Sequence, residues 1–213
     1  MSDSPPSPSD RFFTLLLFGA PGCGKGTQGT ALGTIPRFFH FACGDVFRTL
    51  DTRTPLGQEF VHFSSRGQLV PDELTVRLWR ARIDNEVKSS NFKPDIDYLV
   101  LDGIPRTIDQ AKMLEEHVSV LRVFHLSCPD RDELHRRLRK RAIKDNRMDD
   151  ANEEVITRRL KTYEDESKPL LDHYAERGVA EIDASQQPVK VLHDIVSEIL
   201  KIPEWVESAK KSW

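Results

Sequence analysis

The stretch Phe13-Thr14-Leu15-Leu16-Leu17-Phe18-Gly19-Ala20-Pro21-Gly22-Cys23-Gly24-Lys25-Gly26-Thr27-Gln28 decides the fold. It opens as an apolar run of strand length, rich in Leu and Phe, which suits a strand buried on both faces. A glycine-rich turn follows, and then residues able to start a helix. The spacing Gly19-x4-Gly24-Lys25 is that of a phosphate-binding loop. Glycines let backbone N–H groups converge on an anion with no Cβ in the way. A helix starting near Lys25 aims unpaired N–H groups and a positive dipole end at the same point. The Lys25 ammonium adds a mobile full charge. Gly26 stands where such loops usually carry a hydroxyl, so Thr27 is the candidate to reach Mg²⁺. A tight strand-to-helix turn with a solvated lysine is the plain alternative, and it does not account for this order of strand, glycines and lysine.

The chain has 213 residues, the length of one α/β domain with small insertions. It is 38% hydrophobic and 31% charged, enough for a core under a very soluble surface. A net charge of −3 gives no global pull towards nucleic acid or anionic membrane. No apolar run reaches the length of a membrane span. Residues 1–10 hold prolines and serines without a hydrophobic segment, and read as a disordered tail rather than a signal peptide. Cys23, Cys43 and Cys128 are odd in number and contain no Cys-x2-Cys pair, which disfavours disulfides and zinc and suits a reducing cytoplasm. Cys23, at a helix N-terminus beside Lys25, is either a reactive thiol or a small residue fitting the turn.

Further along, Asp97-Tyr98-Leu99-Val100-Leu101-Asp102-Gly103 reads as a buried strand ending in a carboxylate. Ligands of open parallel sheets bind at the carboxyl ends of strands, so Asp102 is placed to hold a Mg²⁺-bound water beside the loop. Gly103-Ile104-Pro105-Arg106 adds a guanidinium at the same edge. Strands are expected at 12–18, 97–103, 121–126 and 179–182. Helices are expected from 24 towards 32, over 55–66, after Pro71, and near 107–117, 129–143, 151–177 and 188–201, with Pro169 kinking or breaking the long one. Residues 42–70 form a helical insertion between the first two strands, where Gly44-Asp45 starts a helix carrying Arg48. The alternation of strands and helices argues for a parallel sheet covered on both faces. Residues 203–213 read as a loosely held tail.

The run Arg136-Arg137-Leu138-Arg139-Lys140-Arg141 is either a solvated face or an anion site. Arg137 and Arg141 share a helix face. Arg147 follows in a short loop, and Arg159 lies beside the apolar seam of Ile156, Leu160 and Tyr163. An RNA-binding reading of residues 136–147 lacks interleaved aromatic platforms.

Gly19 to Gln28, Cys43-Gly44-Asp45 with Arg48, Gly67-x-Leu69-Val70, Asp102-Gly103-x-Pro105-Arg106 with Gln110, Arg137-x3-Arg141, Arg147-x-Asp149-Asp150 and Arg159-Leu160 occur in this order. Together they resemble the adenylate kinase family of nucleoside monophosphate kinases, over about residues 12–201. The resemblance implies an α/β P-loop fold in three layers, with a five-stranded parallel sheet between helices. It implies a kinase domain over residues 11–202, an acceptor-binding insertion at 42–70 and a short lid at 142–147 without structural zinc. It implies ATP phosphates on Gly22, Cys23, Gly24, Lys25, Gly26 and Thr27, the ATP base against Arg137, and Gln186 on the ATP side. The acceptor monophosphate would meet Arg48 and Arg106, beside Cys43, Gln68 and Gly103. Leu69, Val70 and Gln110 would frame its base. Arg141, Arg147 and Arg159 would surround the transferring phosphoryl group, and Thr27 and Asp102 would hold Mg²⁺ through water.

Phosphoryl transfer needs positioned cations more than acids and bases, which fits so many arginines. Two departures from the family pattern stand out: Cys43 replaces the usual threonine and Ile104 the usual aromatic. The expected activity is ATP + AMP ⇌ 2 ADP, in a cytoplasmic monomer. The rivals are a UMP/CMP kinase of the same family and a non-catalytic ATP sensor. Gln110 favours AMP, because its amide matches adenine's amino group and adjacent ring nitrogen.

Overall fold

The computed structural model describes residues 11–66, 68–144 and 152–211. Strand β1 (Phe12–Phe18) runs through the middle of the sheet. Helix α1 (Lys25–Leu32) leads to β2 (Phe38–Ala42), then α2 (Cys43–Arg48), α3 (Pro55–Ser64) and α4 (Asp72–Lys88). Next come β3 (Tyr98–Asp102), α5 (Ile108–Leu114), β4 (Val118–Ser127) and α6 (Arg131–Lys144). Helix α7 (Glu153–Thr162) runs into a π-helical turn, Tyr163–Ser167, and then α8 (Leu170–His173). Strand β5 (Val179–Asp183), α9 (Pro188–Ile199) and α10 (Pro203–Lys211) complete the chain.

Among the described residues the strands form one parallel sheet in the order β2-β3-β1-β4-β5. The apolar run of β1 is explained by its position. Leu15 and Leu17 pack on one face, with Leu32, Leu138, Ile156 and Ile195. Leu16 and Phe18 pack on the other, with Trp79, Ile83, Ala111 and Leu170. Thr14 is fully buried in this run, and its hydroxyl is satisfied by donating to the Phe12 carbonyl at 2.8 Å. Because β3 and β4 flank β1 on opposite sides, the chain changes direction across the sheet and opens a crevice at the strands' carboxyl ends.

Two expectations need correction. The apolar residues before Gly44 are a full edge strand, β2, paired in register from Phe38↔Tyr98 to Ala42↔Asp102. Residues 203–211 of the expected tail are not loosely held, because they form α10. Its Trp205 stacks on Phe38 with ring centroids 4.8 Å apart and meets Tyr98 edge-on at 5.2 Å. The long helix expected over 151–177 is interrupted as Pro169 requires: the π-turn ends at Ser167 and α8 begins at Leu170.

Candidate active site

The loop between β1 and α1 closes on itself. Gly19 has φ +143°, and a Cβ there would lie 2.5 Å from the Leu126 carbonyl oxygen, so only glycine fits between the loop and β4. The Lys25 ammonium donates to the carbonyls of Gly19 at 2.7 Å and Ala20 at 3.1 Å, with Cys23 Sγ 3.8 Å away. Cys23 is 3% exposed, within the core cluster that contains Leu134 and Leu138. Burial favours its reading as the small residue that fits the turn.

Sheet register sets Asp102 beside the loop, level with Leu17 on β1 and Ala42 on β2. Its Oδ2 lies 3.9 Å from His40 Nε2, and a Cβ on Gly26 would sit 3.6 Å from it. Burial works to raise the Asp102 carboxyl, but His40, Lys25 and Arg106 outweigh it and hold the group below its ordinary value. Asp102 is therefore a carboxylate at neutral pH. His40 reaches it by packing against α1 at Gly29, where a Cβ would be 2.1 Å from the imidazole. That contact gives Gly29 a purpose in a helix it otherwise weakens.

Arg106 follows directly. Its Nε donates to the Gly103 carbonyl at 2.8 Å, which fixes the stem and turns the guanidinium along the cleft wall. Its own carbonyl accepts from Ser167 Oγ at 2.8 Å. The π-turn thus braces the arginine's backbone from the far wall, and such turns recur at functional sites. On α6, Arg137 is held by Glu133 Oε1 at 2.6 Å and the Ala184 carbonyl at 2.9 Å. Gln110, 1% exposed, accepts from the Arg106 amide through Oε1 at 2.8 Å and donates from Nε2 to Asp72 at 2.7 Å.

These groups share one cleft of about 690 Å³. It is lined by Gly22, Cys23, Gly24, Lys25, Gly26 and Thr27 from the loop and α1, and by Cys43, Gln68, Leu69 and Val70 from the insertion. Asp102, Gly103, Arg106, Gln110, Arg137, Arg141, Arg159 and Gln186 line the rest. The side chain of Arg48, and all of Arg147, lie outside the described residues, as do residues 145–147 of the expected lid.

Sequence reasoning missed Lys140 and Lys144, which line the same wall as Arg137 and Arg141. The signal was present, since positions 137, 140, 141 and 144 share one helix face. It also missed His40, whose Nε2 lies 3.9 Å from the Asp102 carboxylate. Tyr163, on the same wall, hydrogen-bonds with His125 Nε2 at 3.1 Å. Burial, helped by Cys23 and Glu164, pushes its phenol well above the ordinary value, so it faces the cleft uncharged.

For a metal, the available donors are hard oxygens: the Asp102 carboxylate and the Thr27 hydroxyl, with phosphates and water left to complete a shell. That suits Mg²⁺, which keeps several waters and takes few protein ligands. Among the described residues no group of three or more His, Cys, Asp or Glu clusters as a metal cage. No helix of the described residues is long and apolar enough to cross a membrane.

The parallel sheet, the glycine loop at its carboxyl edge and the cations around it define a P-loop nucleotide-binding protein. The family profile described as adenylate kinase matches residues 17–179. An adenylate kinase of Cyanothece sp. is 36% identical over 203 residues, covering 92% of this chain and 97% of the relative. One of Prochlorococcus marinus is 39% identical over 171 residues, covering 78% and 86%. One of Micrococcus luteus is 36% identical over 205 residues, covering 93% and 94%. The chain belongs to the adenylate kinase family.

Proposed function

We propose that this protein is a Mg²⁺-dependent adenylate kinase that transfers the terminal phosphoryl group of ATP to AMP, giving two ADP. One observation carries the reading: a phosphate loop with Lys25 and a second anion site at Arg106 share a single cleft, with Arg137, Arg141 and Arg159 on its walls. Two phosphate sites in one cleft suit a donor and an acceptor brought together, which a sensor of ATP alone does not need.

In this reading the loop amides and Lys25 hold the ATP phosphates. Gln186 and the braced Arg137 border the ATP base. Arg106 holds the acceptor phosphate, with Arg48 joining it. Leu69, Val70 and Gln110 take the base, beside Cys43, Gln68 and Gly103. Arg141 and Arg159, with Arg147, neutralise charge on the transferring group, where guanidinium forks match phosphate oxygens. Thr27 and Asp102 would hold Mg²⁺ through water, and the ion would supply charge neutralisation between the phosphates. Residues 11–202 then form the kinase domain, 42–70 the acceptor-side insertion and 142–147 the short lid. We read the protein as a cytoplasmic monomer; three free, buried cysteines suit the reducing cytoplasm.

The test is a coupled assay of ATP and Mg²⁺ with AMP, CMP, UMP and GMP in turn. AMP should be the best acceptor at equal, subsaturating concentration. Faster phosphorylation of CMP or UMP would reassign the acceptor, and no turnover with any monophosphate would leave only ATP binding.

A further inference from the structure

We infer that Asp72 is a specificity-determining positioning residue, which fixes the Gln110 carboxamide in the orientation that accepts a 6-amino purine and refuses a 6-oxo one. The inference deepens the reading of this cleft as an AMP site and rests on it.

Asp72 is the first residue of α4, and Gln110 lies in the first turn of α5, 38 positions later. Asp72 Oδ1 accepts from Gln110 Nε2 at 2.7 Å. Its Oδ2 accepts from the Thr107 hydroxyl at 2.8 Å. That hydroxyl in turn accepts from the Gln110 amide N–H at 3.1 Å, capping α5. On the other side of the carboxamide, Oε1 accepts from the Arg106 amide N–H at 2.8 Å.

A glutamine amide can normally flip, exchanging its donor and acceptor ends. Here both partners have a single role. An ionised carboxylate only accepts and a backbone N–H only donates. A flip would set Oε1 against the Asp72 carboxylate and the amide's NH₂ against the Arg106 N–H, losing two hydrogen bonds and creating two repulsive contacts. One N–H on Nε2 and one lone pair on Oε1 remain unused. Gln110 lines the cleft, so these are what it offers a base. Adenine meets them with its 6-amino donor and its N1 acceptor. Hypoxanthine and guanine present a 6-oxo acceptor and an N1–H donor, the reverse order. The Gln110 side chain alone could serve either base by turning over. Asp72 removes that freedom, and α4 carries it from a different part of the chain than Gln110.

The experiment compares kcat/KM for AMP and IMP, which differ at this edge and hardly in size. Asp72→Asn keeps the shape and can pair with either end of the amide. It should lower the AMP-over-IMP ratio about tenfold, the worth of roughly one buried hydrogen bond, with KM for ATP unchanged. Gln110→Ala should lower the ratio at least as far, and adding Asp72→Asn to it should move the ratio no further. If Asp72→Asn changes melting temperature or kcat while the ratio stays at the wild-type value, Asp72 is only a brace between α4 and α5 and the proposal fails. An equal drop in the Gln110→Ala background also overturns it. If the wild-type enzyme phosphorylates neither monophosphate, the reading of the site falls and takes this proposal with it. Wild-type turnover on AMP with an unmoved ratio in the variant sinks the proposal alone.

Discussion

The Lys25 ammonium sits 2.7 Å from the carbonyl oxygen of Gly19, the first glycine of its own loop. It is thus held at the mouth of the cleft by acceptors that a phosphate can replace. Lys25→Met removes the charge but keeps much of the stem. It should lower kcat by ~10²–10³, the range found for losing one preorganised electrostatic contact. Stability should change by less than about 1 kcal/mol, because the lysine is only half-buried and its partners lie within one loop. Steady-state kinetics alongside thermal melting separates the two effects. Wild-type kcat in this variant would remove Lys25 from the chemistry.

Arg106 should be less forgiving. Its Nε is committed to the Gly103 carbonyl, and Ser167 secures its backbone. Arg106→Ala should cut kcat/KM for AMP by ~10²–10³, since losing one partner of a hydrogen-bonded charge pair costs about 2–5 kcal/mol. Arg106→Lys should recover little, since an ammonium cannot reproduce the fork. Full recovery by lysine would mean that only charge matters at this position.

The loop and the Asp102 strand were legible because their signals are local: spacing, glycines and a carboxylate at a strand end. The β2 strand was hidden because Phe38 to Ala42 shows no clean alternation, being half-covered at the sheet edge. Helix α10 was hidden for another reason. Its sequence is polar at the end, and its anchor, Trp205, finds partners on β2 and β3 that lie far away in the chain. The Asp72–Gln110 bond was invisible in the same way: an Asp after a Pro looks only like a helix start.

That anchor gives a stability prediction without a kinetic one. Trp205 contacts Phe38 and Tyr98 at the first residues of β2 and β3, the edge opposite the cleft. The Arg37 guanidinium lies 5.4 Å from its ring centroid, and the Tyr98 hydroxyl donates to the Glu204 carbonyl at 3.0 Å. Trp205→Ala should destabilise the fold by about 2 kcal/mol, from two aromatic contacts and a cation–π contact. Denaturant melts should show the loss while kcat and both Michaelis constants stay unchanged. A large change in kcat would mean that the two edges of the sheet are coupled.

Two histidines give the stability its pH dependence. Burial and Arg80 hold His117 below the ordinary 6.5, against Glu116 and Asp84. Burial likewise lowers His125, opposed by Glu181 and aided by Lys168 and Lys25. The unfolded chain takes up these protons as pH falls through 6.5, while the folded chain resists until lower pH. Stability is therefore fully present above about pH 6.5 and declines as pH drops below it. Melting temperature should fall between pH 7.5 and 5.5, and a His117→Asn, His125→Asn variant should show a flatter profile. An equally steep profile in that variant would assign the dependence to other groups.

Gln110 also ranks the two pyrimidine acceptors against each other. With Nε2 tied to Asp72 and Oε1 to the Arg106 amide, the side chain offers one donor and one acceptor in fixed order. Cytosine carries an amino group next to a ring-nitrogen acceptor, the same order as adenine. Uracil carries a carbonyl next to an N–H donor, the reverse. Both rings are smaller than a purine and reach less far towards Gln110, so both monophosphates should be poorer acceptors than AMP. Between them, polarity decides. CMP should exceed UMP in kcat/KM by at least about tenfold, since the reversed base leaves both hydrogen bonds to the carboxamide unmade, at a cost of about 1–3 kcal/mol each. Cys43, a weak donor, does little to restore the balance for either base. Gln110→Ala should bring the two pyrimidines level, because the group that separates them is then gone. UMP equal to or better than CMP in the unmodified enzyme would show that the carboxamide meets the base in the opposite orientation.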